Sequence, residues 1–120
     1  MELRTVAQCT LGFLLLTLGL AAVAETLLVT NKSEASVSLI DLPGFGTVAT
    51  LATGEGPHEV DVSPNGKLAL VSNYGTRDAP GSTLTLIDIP RARSLSEITL
   101  YDGARPHGIQ WLSNDTAVVK

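Results

Sequence analysis

Two stretches of this chain carry the same succession of motifs, and that repetition constrains the fold more than any other feature. SVSLIDLP at 36–43 returns as TLTLIDIP at 83–90, which sets Asp41 and Asp88 47 residues apart. GEGPHEVDVSPNG at 54–66 returns as GARPHGIQWLSND at 103–115, with His58 and His107 49 apart. LLVTN, ending at Asn31, returns as LALVSN, ending at Asn73, a spacing of 42. The spacings differ because the second copy inserts residues at two places, expected at 74–81 and around 91–94. Insertions that fall in loops while the strands stay matched mark a structural repeat.

The repeated unit is made of short β-type runs. They are TLLVT (26–30), SVSLIDL (36–42), TVATLA (47–52), EVDVS (59–63), LALVSN (68–73), TLTLIDI (83–89), LSEITL (95–100), GIQWL (108–112) and AVV (117–119). Several alternate with period two, so that Val37, Leu39 and Asp41 face one way and Ser38, Ile40 and Leu42 the other. After residue 25 no stretch sustains the 3.6-residue period of an amphipathic helix. Four strands per period of 42 to 49 residues is the pattern of a β-propeller blade. The fold class expected is therefore all-β: a partial β-propeller of about two and a quarter four-stranded antiparallel blades. Residues 25–53 would form a partial blade, 54–102 a full one and 103–120 the start of the next.

The motifs themselves resemble the YVTN-type β-propeller family. In that family the cycle runs through a Pro-His-Gly strand, an SPDG turn, the YVTN strand and a strand ending in Ile-Asp. GPHEVDVSPNG, LALVSN and TLTLIDI occupy those slots here. The resemblance implies an exported propeller and places both Pro-His pairs at the mouth of the central channel, on one face. It does not imply an activity, because such repeats are architectural and occur in proteins with unrelated functions.

Ahead of the repeats, 1–24 reads as a secretory leader. Arg4 precedes the apolar run LGFLLLTLGLAAVA at 11–24, which closes on Ala22-Val23-Ala24, the small-x-small pattern of a cleavage site. That run is shorter than the roughly 20 residues a membrane span needs. Export to the periplasm or beyond is expected, with no membrane attachment after cleavage. Cys9, the one cysteine, precedes the run, so the mature segment has no thiol for a disulfide, metal or nucleophile. With 12 acidic against 8 basic residues and a net charge of −4, nothing basic is concentrated enough for a nucleic-acid partner. At 44% hydrophobic and 17% charged, the chain has the apolar content to build a core.

Local chemistry fills in the turns. Asn65-Gly66 suits a tight type I′ turn, with Asn114-Asp115 in the second copy. Asp41 and Asp88 are expected to cap the turns that follow them, and Asn31 and Asn73 to form turns at strand ends. Trp111, in the slot of Val62, is expected to pack between blades. Arg77 and Asp78, in the 74–81 insertion, are the exposed loop residues best placed for variable recognition.

His58 and His107, with Glu59 beside the first, are the candidate ligand-binding residues. Imidazoles around a propeller mouth can hold a metal or act as acid–base groups near neutral pH. They can also simply bond a neighbouring blade's backbone and fix the blade-to-blade step. Two histidines alone do not complete a metal site, so no metal and no cofactor are expected. Glu59 has no counterpart, since Gly108 stands in its place.

Nine strands fall short of the four to eight blades of a closed propeller, so a piece of a longer protein is expected, with self-assembly of copies as the alternative. The function expected is a binding or scaffold module for a protein or small-molecule ligand. The alternative is a propeller enzyme of lactone-hydrolase type, with most of its site on further blades. No Cys-x-x-Cys-His haem attachment, phosphate loop or Ser-His-Asp spacing is present.

Overall fold

The computed structural model describes residues 25–120. The leader expected at 1–24, Cys9 with it, lies outside the described residues. Nine antiparallel strands pair into sheets of three, four and two. The first holds β1 (Glu25–Asn31), β2 (Ser36–Leu42) and β3 (Thr47–Ala52); the second β4 (Pro57–Val62), β5 (Leu68–Gly75), β6 (Pro80–Asp88) and β7 (Arg93–Thr99); the third β8 (Ile109–Trp111) and β9 (Ala117–Val119). Each strand pairs with its sequence neighbour, so every sheet is a meander, as in partial propeller blades.

The alternation read from sequence explains the burial. In β2, Val37 and Leu39 are buried while Ser38 and Ile40 are half-covered. They meet Ala69, Val71 and Ile87 of the second sheet in one apolar core, with Leu28, Leu51, Val60, Ile89 and Ala92 packed around it. β5 is buried on both faces from Ala69 to Asn73, because a sheet lies on either side of it. The outer strand β7 is exposed along its whole length. Burying a Val or Leu side chain is worth about 1.5–3 kcal/mol, so the middle of the second sheet anchors the three.

The repeat is visible in the register. Leu39 pairs with Ala49 and Leu86 with Ser96, and both ladders slip at the same point, between Leu39 and Ile40 and between Leu86 and Ile87. The turn between these strands is thus the same length in both copies, and the insertion expected around 91–94 is not there. The extra residues lie instead between β7 and the second Pro-His, around 100–102. The other insertion, 74–81, is only partly a loop. Tyr74 and Gly75 extend β5, Pro80 and Gly81 extend β6, and four residues, 76–79, form the exposed tip.

Three local readings are corrected. Asn65 is not in the left-handed region; only Gly66 is, at φ 70°. Pro64 already fixes a negative φ, so the chain closes a Ser63–Gly66 turn (Gly66 N donating to Ser63 O, 2.8 Å), with Asn65 Oδ1 accepting from Ser63 Oγ and from Lys67 N. Asp88 does cap its turn, accepting from Arg91 N at 3.1 Å, whereas the loop after Asp41 closes through backbone, Phe45 N donating to Asp41 O at 2.8 Å. Asn31 and Asn73 are cross-strand clamps rather than turn formers. Asn31 Nδ2 donates to Ser36 and Ser38 Oγ, and Asn73 Nδ2 donates to Thr83 and Thr85 Oγ1, at 2.9–3.1 Å.

Candidate functional site

The start of β4 and the connection into β8 carry the two Pro-His pairs. Pro57 and Pro106 are both fully buried, which seats each connection against the sheet before it without stranding an N–H. Ser72, fully buried at the centre of β5, ties the two together. Its Oγ accepts from Glu59 N at 3.0 Å and donates to His107 O at 2.9 Å. One hydroxyl thus fixes the step between successive connections, and the histidine rings arrive side by side with centroids 4.0 Å apart. The blade-to-blade bond comes from the backbone carbonyl of His107, not from its imidazole.

Glu59 belongs to the same cluster. Its Oε1 lies 3.2 Å from His107 Nδ1, and both side chains are about half exposed. The asymmetry in the repeat therefore has a local use: only the first copy's carboxylate can face the second copy's imidazole. Tyr74 closes the other side, 5.4 Å from the His58 ring and 5.7 Å, edge-on, from that of His107. Two cations flank the tyrosine face: Lys32 Nζ at 5.5 Å and the Arg105 guanidinium at 5.2 Å.

Lys32, Tyr74 and Arg105 were not singled out by the sequence. Lys32 lies in the 3-10 turn after β1, Tyr74 on the extended end of β5, and Arg105 before Pro106, so only the packing of three sheets assembles them. A partial signal existed for Arg105, which occupies the repeat position of Gly56. Both are left-handed, Gly56 at φ 56° and Arg105 at φ 45°. A non-glycine residue there costs about 1–2 kcal/mol. The side chain so placed spans the tip of the β5–β6 hairpin, donating to Thr76 O at 2.9 Å and Arg77 O at 3.1 Å. Arg77 and Asp78 themselves are exposed at that tip, outside the histidine cluster.

Electrostatics distinguish His58. Burial pushes its pKa below the ordinary histidine value, the charges of His107 and Lys32 push the same way, and Glu59 pulls back. The ring is thus held neutral at physiological pH, with a lone pair free for a ligand or a proton. Among the described residues its buried Nδ1 has no hydrogen-bond partner, a state that costs about 1–3 kcal/mol until something meets it. His58, Glu59 and His107 each offer one ligand atom, all within 4.8 Å of one another.

Trp111 lies against the second sheet, as expected of an inter-blade residue. Its backbone N donates to Asp61 Oδ2 at 2.9 Å and its Nε1 to Asp61 O at 3.1 Å. Asn65 N donates to Asn114 Oδ1 at 3.0 Å, linking the equivalent turns of adjacent sheets.

No family model matches the chain, and no curated protein matches it. Among solved structures it is similar to Kuenenia stuttgartiensis hydrazine synthase, at 27% identity and a TM-score of 0.58 over 64% of this chain. The chain spans 21% of the length of that chain. Together with the three meandering sheets, this likeness supports a distant β-propeller-like fold.

Proposed function

We propose that the chain is a segment of an exported, YVTN-type β-propeller that acts as a binding module and takes a small anionic ligand at the channel mouth. The observation that carries this reading is the convergence of His58, His107, Glu59 and Tyr74 beneath two cations, Lys32 and Arg105. Residues of the second sheet and of the connections on either side of it, including an arginine held in a strained backbone conformation, meet at one place. Strain of this kind persists where the surroundings over-determine it and gathers at ligand clamps. The neutral imidazole of His58 accepts a hydrogen bond, and the lysine and arginine offset a negative charge.

Titrating the full chain, free of metal, with succinate and with inorganic phosphate tests the reading. Ring resonances of His58, His107 and Tyr74 should move saturably and lose that response in Lys32→Ala. Rings indifferent to both anions would refute it. The Glu59 carboxylate on His107 Nδ1 favours a second reading, a lactone hydrolase in which His107 is an oriented general base. γ-Butyrolactone left intact by the chain, with or without a divalent metal, removes that alternative.

A further inference from the structure

We propose that His58, Glu59 and His107 form a zinc-class metal site, with two nitrogen ligands and one carboxylate oxygen, open to solvent at its remaining position. The inference rests on the channel mouth being the ligand site and names what first occupies it. Its basis is the donor set and its spacing. Tetrahedral zinc with bonds of about 2.0–2.2 Å separates its ligand atoms by about 3.4 Å. The three donors here already lie within 4.8 Å of one another. The half-exposed His107 and Glu59 side chains are the ones that would rotate to close the difference. His58 is the more covered histidine, its ring packed against those of both Tyr74 and His107.

Chemistry selects the metal class. Imidazole with carboxylate suits zinc and its neighbours, whereas calcium and magnesium prefer all-oxygen sets. Ligation requires neutral imidazole. Ligation through Nδ1 would also give that nitrogen the partner it lacks among the described residues. Lys32 and Arg105 oppose a bare dication, and Glu59 offsets only one charge. The ion's open position should therefore take an anion, whose charge the two side chains balance. Three protein ligands and one exchangeable position is the arrangement of a reactive or ligand-exchanging zinc rather than a structural one.

The experiment is a titration of the chelator-treated full chain with zinc chloride alone, followed by calorimetry and by the imidazole nitrogen resonances of the two histidines. One equivalent should bind and both histidines should report it. His58→Ala, His107→Ala and Glu59→Gln should each weaken binding by at least about tenfold, the lower end for loss of even an outer-shell partner. Affinity should fall as pH drops, because protons compete with the metal for imidazole. The resonances of the unsubstituted chain decide the matter even where a variant fails to fold. Zinc that does not bind, or that binds without moving either histidine, overturns the inference. Should zinc fail while succinate or phosphate still moves His58 and Tyr74 in the metal-free chain, the anion site stands and the metal is wrong. Should all three fail, the channel mouth is not a ligand site.

Discussion

Replacing Asn73 by alanine should cost distinctly more stability than replacing Asn31, although the two residues do the same thing in successive copies of the repeat. Asn73 is fully buried, and its amide donates to Thr83 and Thr85, the second of which is itself buried. Losing two hydrogen bonds at about 1 kcal/mol each, with no water able to replace them, removes about 2 kcal/mol. The space left by the carboxamide adds about 1 kcal/mol. Against this, Asn73 Oδ1 is buried without a partner, and deleting it returns about 1 kcal/mol. The net loss is about 2 kcal/mol. Asn31 makes equally short bonds to Ser36 and Ser38 but is only half-buried, so water replaces much of what alanine removes and about 0.5–1 kcal/mol is lost. Urea unfolding followed by the fluorescence of Trp111, the one tryptophan, measures both. In a domain of this size, 2 kcal/mol lowers the melting temperature by about 8–16 °C. Equal losses in the two variants, or a loss below about 0.5 kcal/mol for Asn73→Ala, would refute the clamp.

Gly56→Ala should be among the most damaging single changes: φ is 56° and the new methyl would fall on the carbonyl oxygen of Gly75. Left-handed strain of about 1–2 kcal/mol and a forced backbone shift of about 1–3 kcal/mol add together, read as a lower urea midpoint. Asp88 has its pKa lowered, first by the hydrogen bond from the Arg91 side chain and further by the Arg91 and Arg93 charges. The unfolded chain therefore binds the proton more readily, so this contribution is complete above the ordinary aspartate range and is lost as pH falls through the lower folded value. Asp88→Asn should flatten that acid limb in unfolding midpoints taken between about pH 2 and 5. His58 should titrate below the ordinary histidine value by proton NMR and move upward in Lys32→Ala, since the lysine charge is one cause of the shift. Stability tied to His58 is present above about pH 6.5 and declines as pH falls toward its folded pKa.

β2 was legible because a strand with one face in the core alternates, and the β3 and β9 bounds follow from short β-type runs between turn residues. The grouping into three, four and two followed from matching motifs about 47 apart. What sequence could not show was interaction between copies. Asn31 and Asn73 look like turn residues because asparagine commonly is one; only the register, which sets Asn73 opposite Thr83, reveals a polar pair inside the sheet. The Asn-Gly signal misled for a related reason, since Ser63 and Pro64 ahead of it already commit the chain to another turn. At the site, the paired histidines were legible from their identical context. Glu59 was visible as a neighbour of His58 but not as a partner of His107. Lys32, Tyr74 and Arg105 share no spacing or motif, and their meeting depends on how far each sheet is rotated from the last.

Three hydrogen bonds join the second copy to the third: Asp61 with Trp111, Asn65 with Asn114, Ser72 with His107. Such a joint is head-to-tail, the same kind of surface meeting its complement one unit along. A joint of that sort carries no count of its own, and a series built on it closes or spirals according to the angle of a single step. A change at Ser72 or Asp61 that tilts the step by a few degrees would be multiplied around every later unit. Small polar residues at this joint therefore help set the curvature of any array this unit belongs to, alongside the apolar residues that pack the first sheet on the second.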